Sequence, residues 1–160
     1  MKKVLVYGLG VTGISSVKAL DKLGYEVYTY DKNKKNIKEL EGYDYSPISD
    51  ENFGKYDFVL KSPGIKPSDD IVKILEKDNE IISDIEASQR LFPDKEKIAI
   101  TGTNGKTSTT SMVTHILNEC GHPAYAVGNI GEGILWQMYD KKGVFVEELS
   151  SFQLHDTQTY

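Results

Sequence analysis

Cysteine is almost absent. Cys120 stands alone in 160 residues, so no internal disulfide framework can form. A lone thiol fits a reducing compartment. No apolar run is long enough to span a bilayer, and the stretch after Met1-Lys2-Lys3 breaks at Gly8, too early for a secretory leader. The expectation is a cytoplasmic protein with no membrane partner. Positive charge is also short: the net charge is −5, which excludes nucleic-acid binding through bulk electrostatics. Low-complexity tracts and solenoid-length repeats are missing, which excludes fibrous and repeat architectures.

What remains is ordinary for a globular chain: 39% hydrophobic and 27% charged residues. Short apolar runs alternate with helical spacing. "KVLVYG" reads as a buried strand, and Val11 to Leu23 as a helix carrying Ile14, Val17, Ala19, Leu20 and Leu23, ended by Gly24. "EVYTYD" is a second strand, ending at Asp31. The charge run "DKNKKNIK" (31–38) reads as a solvated turn and helix start. Phe58 to Leu60 is a strand that stops at Ser62-Pro63-Gly64. A helix follows from Pro67-Ser68-Asp69-Asp70, with Ile71, Val72, Ile74 and Leu75 as its apolar face. "EIIS" is a short strand and Asp84 to Leu91 a helix.

The polar "FPDKEK" marks a boundary, and the alternation then restarts. "IAITG", "PAYAVG" and "GVFVEE" are strands; Gly105–Glu119 and Gly133–Tyr139 are helices. Such alternation predicts an α/β fold with parallel sheets. The expectation is a Rossmann-like unit over 1–93 and a partial P-loop-type α/β unit over 94–160. Three strands make a thin core, and "LSSFQLHDTQTY" begins a further element, so the second unit reads as part of something longer. Trp136 and its aliphatic neighbours read as core, Cys120 as a small packing residue, and His115 and His122 as structural. His155 reads as an ordinary helix or surface residue.

Three features carry chemistry. The first is "VLVYGLGVTG", where Gly8, Gly10 and Gly13 fit G-x-G-x-x-G after a strand. That pattern makes a tight turn whose helix-start amides face a diphosphate. The second is "TGTNGKTSTT". Strict Walker A needs a glycine at position 100, where Ile100 stands; what is present is the shorter Gly102-x-x-Gly105-Lys106-Thr107. Backbone amides there would hold phosphate oxygens, Lys106 would oppose their charge and the Thr107 hydroxyl would ligate Mg²⁺. The bland alternative is a helix cap with a chance lysine. The third is Glu147-Glu148 at a strand end. Side chains alternate, so one of the two faces the nucleotide, and a carboxylate suits a hard cation.

Together these stretches resemble the Mur ligases of peptidoglycan assembly. "GTNGKT" resembles their nucleotide loop. "VGNIG" (127–131) and "ELSSFQL" (148–154) are similar to the D-glutamate-adding branch, as are "GLGVTG", "SPGI" (62–65) and "SDIE" (83–86). The resemblance covers the whole chain. It implies an ATP-dependent amide ligase that joins D-glutamate to UDP-N-acetylmuramoyl-L-alanine through an acyl phosphate, with ATP and Mg²⁺ as cofactors, acting as a monomer. It implies ATP contacts at Gly102, Thr103, Asn104, Gly105, Lys106, Thr107 and Ser108, Mg²⁺ ligands Thr107 and Glu148, and catalytic roles for Lys106 and Glu148. It implies UDP-substrate contacts at Val11, Thr12, Asp31, Lys32, Gly64, Asn129, Ser150 and Gln153. Relatives carry Thr-Arg after the aspartate. Here Lys32-Asn33 follows Asp31, so the cation at the diphosphate falls to Lys32 or Lys34. The family's Mg²⁺-binding histidine, its carbamylated lysine and its D-glutamate site are expected after Tyr160, which would leave this piece unable to ligate by itself. Two other readings stay open: an NAD-dependent oxidoreductase, with Asp31 on a ribose hydroxyl, and a non-catalytic nucleotide-binding module.

Overall fold

A computed structural model describes residues 1–32, 38–49, 53–130, 132–150, 153, 157 and 159. The chain forms two parallel sheets in succession. The first contains β1 (Lys3–Tyr7), β2 (Glu26–Tyr30), β3 (Ser46–Pro47), β4 (Phe58–Lys61) and β5 (Ile81–Ile82), in the order β3-β2-β1-β4-β5. Helix α1 (Val11–Lys22) joins β1 to β2, and α2 (Asp70–Leu75) joins β4 to β5. The chain leaves β1 for β2 on one side and returns to β4 on the other. The order therefore reverses between β1 and β4, where an open α/β sheet leaves a crevice at its carboxyl edge.

Side-chain alternation along β1 divides the core. Val4 and Val6 join α1 in one cluster; Leu5 and Tyr7 join Tyr30, Val59, Val72 and Leu75 in another on the opposite face. Helix α1 buries Ile14, Val17 and Leu20 at the expected spacing, and Gly24, at φ 80°, lets the chain reverse after it. Here one expectation needs correcting and one strand went unforeseen. Ile74 is 47% exposed, because a six-residue helix buries only the stripe through Val72 and Leu75. Strand β3 was not foreseen: a two-residue edge strand containing proline carries no periodic signal. Most of the 31–38 run lies outside the described residues.

Helix α3 (Asp84–Leu91), N-capped by the Ser83 hydroxyl on the Glu86 amide, leads out of the first sheet. The second sheet, ordered β6-β8-β7, holds β6 (Lys97–Ile100), β7 (Ala124–Gly128) and β8 (Val144–Glu148). Helix α4 (Lys106–Glu119) joins β6 to β7, and α5 (Ile134–Asp140) joins β7 to β8. The chain crosses β8's place one way and then returns, so right-handed crossovers put α4 and α5 on opposite faces.

Helix α5 packs on α1 and α3. Ile134, Leu135, Met138, Phe145 and Leu149 thus share one apolar cluster with Val6, Ile14, Val17 and Ile85. The small second sheet completes its core by burying one face against the first unit. Trp136 packs at the edge of this cluster, stacked on Tyr139 and edge-on to Tyr43. The α4 face is barer: Thr110 is the one buried residue of that helix, while Met112 and Ile116 are exposed. Cys120 is exposed, not packed, because it caps α4 at the surface where the chain turns through Gly121. His115 and His122 are exposed as well, the first on the open side of α4 and the second in the turn after it. No helix among the described residues is long and apolar enough to cross a membrane.

Candidate functional site

The glycine turn after β1 is built from close approaches. Gly8 adopts φ 95°, and a Cβ on Gly13 would lie 1.8 Å from the Gly8 carbonyl oxygen. Only a bare α-carbon lets α1 start this near the strand. The Leu9 amide donates to the Asp31 carboxylate, which ties the turn to the end of β2. The first amides of a helix have no intrahelical acceptor. Gly10 supplies no side-chain cap, and Val11 and Thr12, the first residues of α1, line a cleft.

Asp69 organises one wall. It caps α2 by accepting from the Ile71 amide at 3.0 Å, accepts from the Tyr7 hydroxyl at 2.9 Å and pairs with the Lys32 ammonium at 2.8 Å. The Lys32 bond is the main cause holding Asp69 below its ordinary carboxylate range. Burial, reinforced by Asp69, pushes Tyr7 up. Lys32 is thus engaged by a protein carboxylate. Lys34 lies outside the described residues.

Three clefts adjoin at Gly64. The first, about 510 Å³, is lined by Tyr7, Gly8, Asp31, Lys32, Lys66 and Asp69 among others. The second, about 260 Å³, is lined by Val11, Thr12, Ser62, Gly128, Asn129 and Gly133. The third, about 810 Å³, runs past Lys61, Lys66, Ser83, Asn129, Ser150 and Gln153. Gly64 lines all three. The eight residues singled out for a UDP-linked substrate therefore line three clefts that share Gly64, and they come from both halves of the chain. Sequence reading missed Tyr7, Lys61, Lys66, Ser83 and Asp69. Asp69 was read only as part of a helix start, and its bonds to Tyr7 and Lys32 span many residues, so no local pattern announces them.

The second glycine loop sits at the carboxyl end of β6. Gly105 caps α4 at φ 76°, and the Lys106 ammonium donates to the Gly102 carbonyl at 2.8 Å. None of the three clefts is lined by 102–108, and Thr103, Thr107 and Ser108 are exposed. Pairing in register sets Glu148 opposite Ile100, the last residue before the loop. Phe145 points into the shared core, so alternation directs Glu148 to the α4 face and Glu147 to the other. Glu147 acts on Lys97, whose pKa is lowered by burial and partly restored by that carboxylate. Glu148 is buried, and its Oε2 finds no hydrogen-bond partner among the described residues; the buried Thr110 Oγ1 on α4 has none either. A Cβ on Gly128 would lie 2.4 Å from the Glu148 carbonyl oxygen, and the Asn129 amide donates to that oxygen at 3.2 Å. Asn129 is thereby fixed to the strand that carries Glu148. Ser151, Phe152, Leu154 and His155 lie outside the described residues, as does Gly131.

Comparison with known proteins agrees with this architecture. Residues 2–83 match the model of the Mur ligase MurD-like N-terminal domain, and residues 100–160 match the Mur ligase middle domain. The UDP-N-acetylmuramoylalanine–D-glutamate ligase of Thermoanaerobacter pseudethanolicus is 39% identical over 175 residues, covering 99% of this chain and 37% of that protein. The ligase of the same name from Rickettsia prowazekii is 41% identical over 162 residues, covering 96% and 35%. The chain thus spans a little over a third of the length of these relatives. Among solved structures, UDP-N-acetylmuramate-alanine ligase MurC from Thermotoga maritima superposes with TM-score 0.58 at 23% identity, covering 93% of this chain and 37% of that one. A murein peptide ligase from Psychrobacter arcticus gives TM-score 0.58 at 20% identity, covering 94% and 38%. The latter two show the fold. The chain belongs to the Mur ligase family, joining a MurD-like N-terminal domain to residues of the Mur ligase middle domain.

Proposed function

We propose that this chain is the substrate-holding and phosphate-holding part of a cytoplasmic, monomeric UDP-N-acetylmuramoyl-L-alanine–D-glutamate ligase. One observation carries the reading: Val11, Thr12, Asp31, Lys32, Gly64, Asn129, Ser150 and Gln153 line three clefts that share Gly64. The unit over 1–93 holds the uridine diphosphate end. The unit over 94–160 holds the muramoyl end and the ATP phosphates. Amides at the start of α1 face the diphosphate in the manner of helix N-termini generally.

ATP belongs at Gly102–Ser108, with Lys106 moving from the Gly102 carbonyl to the terminal phosphates. Mg²⁺ suits the loop's α4 side. A buried carboxylate oxygen and a buried hydroxyl without partners are costly, and a hard cation with its water shell would satisfy them. No cluster of three acidic, histidine or cysteine side chains is found among the described residues. Glu148, Thr107 and phosphate oxygens would hold the ion. When bound, it would supply positive charge where a triphosphate and a carboxylate must meet. The chain's own residues orient the two anions. Transfer of the γ-phosphoryl group of ATP to the alanine carboxylate would give ADP and an acyl phosphate; the D-glutamate amine would then attack the acyl carbon, lose a proton and expel phosphate, leaving the amide.

The nicotinamide reading leaves the Gly102–Thr107 loop and Glu148 without a task. The test uses the full-length enzyme. ADP release should require both UDP-N-acetylmuramoyl-L-alanine and D-glutamate. Release with another amino acid in place of D-glutamate would move the assignment to a sister ligase.

A further inference from the structure

Asp69 divides its two carboxylate oxygens between different tasks. Oδ1 accepts from the Ile71 amide at 3.0 Å and from the Tyr7 hydroxyl at 2.9 Å, so it caps α2 and ties that helix to the end of β1. Oδ2 accepts from the Lys32 ammonium at 2.8 Å and, among the described residues, from no other group. This ion pair crosses the crevice. Lys32 follows β2, Asp69 leads into α2 after β4, and β2 and β4 lie on either side of β1. Both residues line the first cleft, with Tyr7 between them. Their side chains are 54% and 23% exposed, so the pair is open to water and to an entering ligand.

Charge in this cleft is already balanced. Among the described residues that line it, Lys32 and Lys66 are cations and Asp31 and Asp69 are carboxylates. The Lys32 bond is the largest cause holding the Asp69 carboxyl below its ordinary range, so Asp69 is ionised at neutral pH and the contact is a full charge pair. A diphosphate beside the α1 amides brings further negative charge to the same place. The Lys32 ammonium is a point charge on a flexible stem, so it can swing between two anions. A partly exposed pair is also cheap to break.

We propose that Asp69 is a positioning residue that tunes phosphate affinity: its Oδ2 competes with the ligand's phosphate oxygens for the Lys32 ammonium, so that binding exchanges one ion pair for another. Asp69 thereby weakens the hold on the diphosphate and leaves the hold on the nucleoside untouched. This rests on the uridine diphosphate reading above.

The test titrates the full-length enzyme with UDP and with uridine by calorimetry. Asp69→Asn is a narrow change. The amide oxygen can keep the bonds from Ile71 and Tyr7, and asparagine caps helices well. The amide nitrogen in place of Oδ2 cannot accept from an ammonium. This variant should bind UDP about two- to fivefold more tightly, the scale of a partly exposed ion pair, with uridine affinity unchanged. The gain should be smaller when Lys32→Gln is also present, because no ammonium is left to release. Lys32→Gln alone should cost no more than about twofold in UDP affinity, since what Lys32 gives the phosphate is offset by the pair it leaves. That variant carries the test if Asp69→Asn does not fold. Weaker UDP binding by Asp69→Asn, an equal rise for uridine, a gain in the Lys32→Gln chain as large as in wild type, or a loss of about tenfold in Lys32→Gln alone would overturn the role of Asp69. A wild-type enzyme that binds neither UDP nor uridine would instead overturn the uridine diphosphate reading, and this inference with it.

Discussion

Ser15 on α1 and Gly133 at the start of α5 interlock: Ser15 Oγ donates to the Gly133 carbonyl at 2.6 Å, and a Cβ on Gly133 would lie 2.2 Å from Ser15 Cβ. The same hydroxyl accepts from the Trp136 amide at 2.9 Å. This buried junction holds the two sheets together behind the groove. Ser15→Ala leaves the Trp136 amide without its acceptor and the Gly133 carbonyl with only the long 3.5 Å bond from the Gln137 amide, and should cost about 1–3 kcal/mol in denaturant unfolding. Gly133→Ala should cost at least as much, since the added methyl meets a side chain packed in a helix. Both variants should loosen the coupling of the two units, read as a broadened or split unfolding transition.

The glycine turn gives a contrast within one motif. Alanine at Gly13 cannot fit beside the Gly8 carbonyl, whereas a Cβ at Gly10 meets nothing within 4 Å. Gly13→Ala should displace α1 and abolish uridine-nucleotide binding. Gly10→Ala should change stability by no more than about 0.5 kcal/mol, the usual range for an exposed site. Equal effects of the two, measured by UDP titration and thermal melting, would contradict the close-approach account.

Much of this was legible in advance, for stated reasons. Strong hydrophobic periodicity marked α1, and short β-rich runs marked β1, β2, β4 and β8. The sheet order was not legible, and with it the question of which carboxylate faces the loop. Glu147 and Glu148 are chemically alike; only β8's place between β6 and β7, with Phe145 in the shared core, separates them. The groove residues Val11, Asp31, Gly64, Asn129 and Gln153 sat on recognisable motifs. Tyr7, Lys61 and Asp69 did not, because their partners come from other elements.

Lys106 is the first residue of α4, is half-buried, and bonds only the Gly102 carbonyl among the contacts described. Lys106→Ala should therefore leave folding stability within about 0.5 kcal/mol of wild type. ATP affinity should fall about tenfold or more, because a charge-assisted contact to phosphate is lost. Turnover by the full-length enzyme should fall with it. Near-normal turnover would remove the phosphate-loop assignment.

Asp84 predicts a pH signature. Burial pushes its pKa up to about 6, against the pull of the Gln153 amide, two backbone amides and Lys61. In the unfolded chain it titrates near the ordinary value of 3.8. Between these values the folded state binds the proton and the unfolded state does not. The carboxylate's contribution thus weakens stability as pH rises from about 4 to 6, by roughly 3 kcal/mol in total. Asp84→Asn removes that slope, so its stability relative to wild type should improve as pH rises through this window. Chemical denaturation of both chains at pH 4, 5, 6 and 7 measures it; a constant difference would contradict a buried, raised Asp84.

The clefts that meet at Gly64 are proposed to take a UDP-linked muramoyl substrate. Titration of this chain with UDP-N-acetylmuramoyl-L-alanine, UDP and NADH tests it most directly. The account predicts saturable binding of both uridine nucleotides, tighter for the muramoyl substrate, and none for NADH. Binding of NADH without either uridine nucleotide would contradict it.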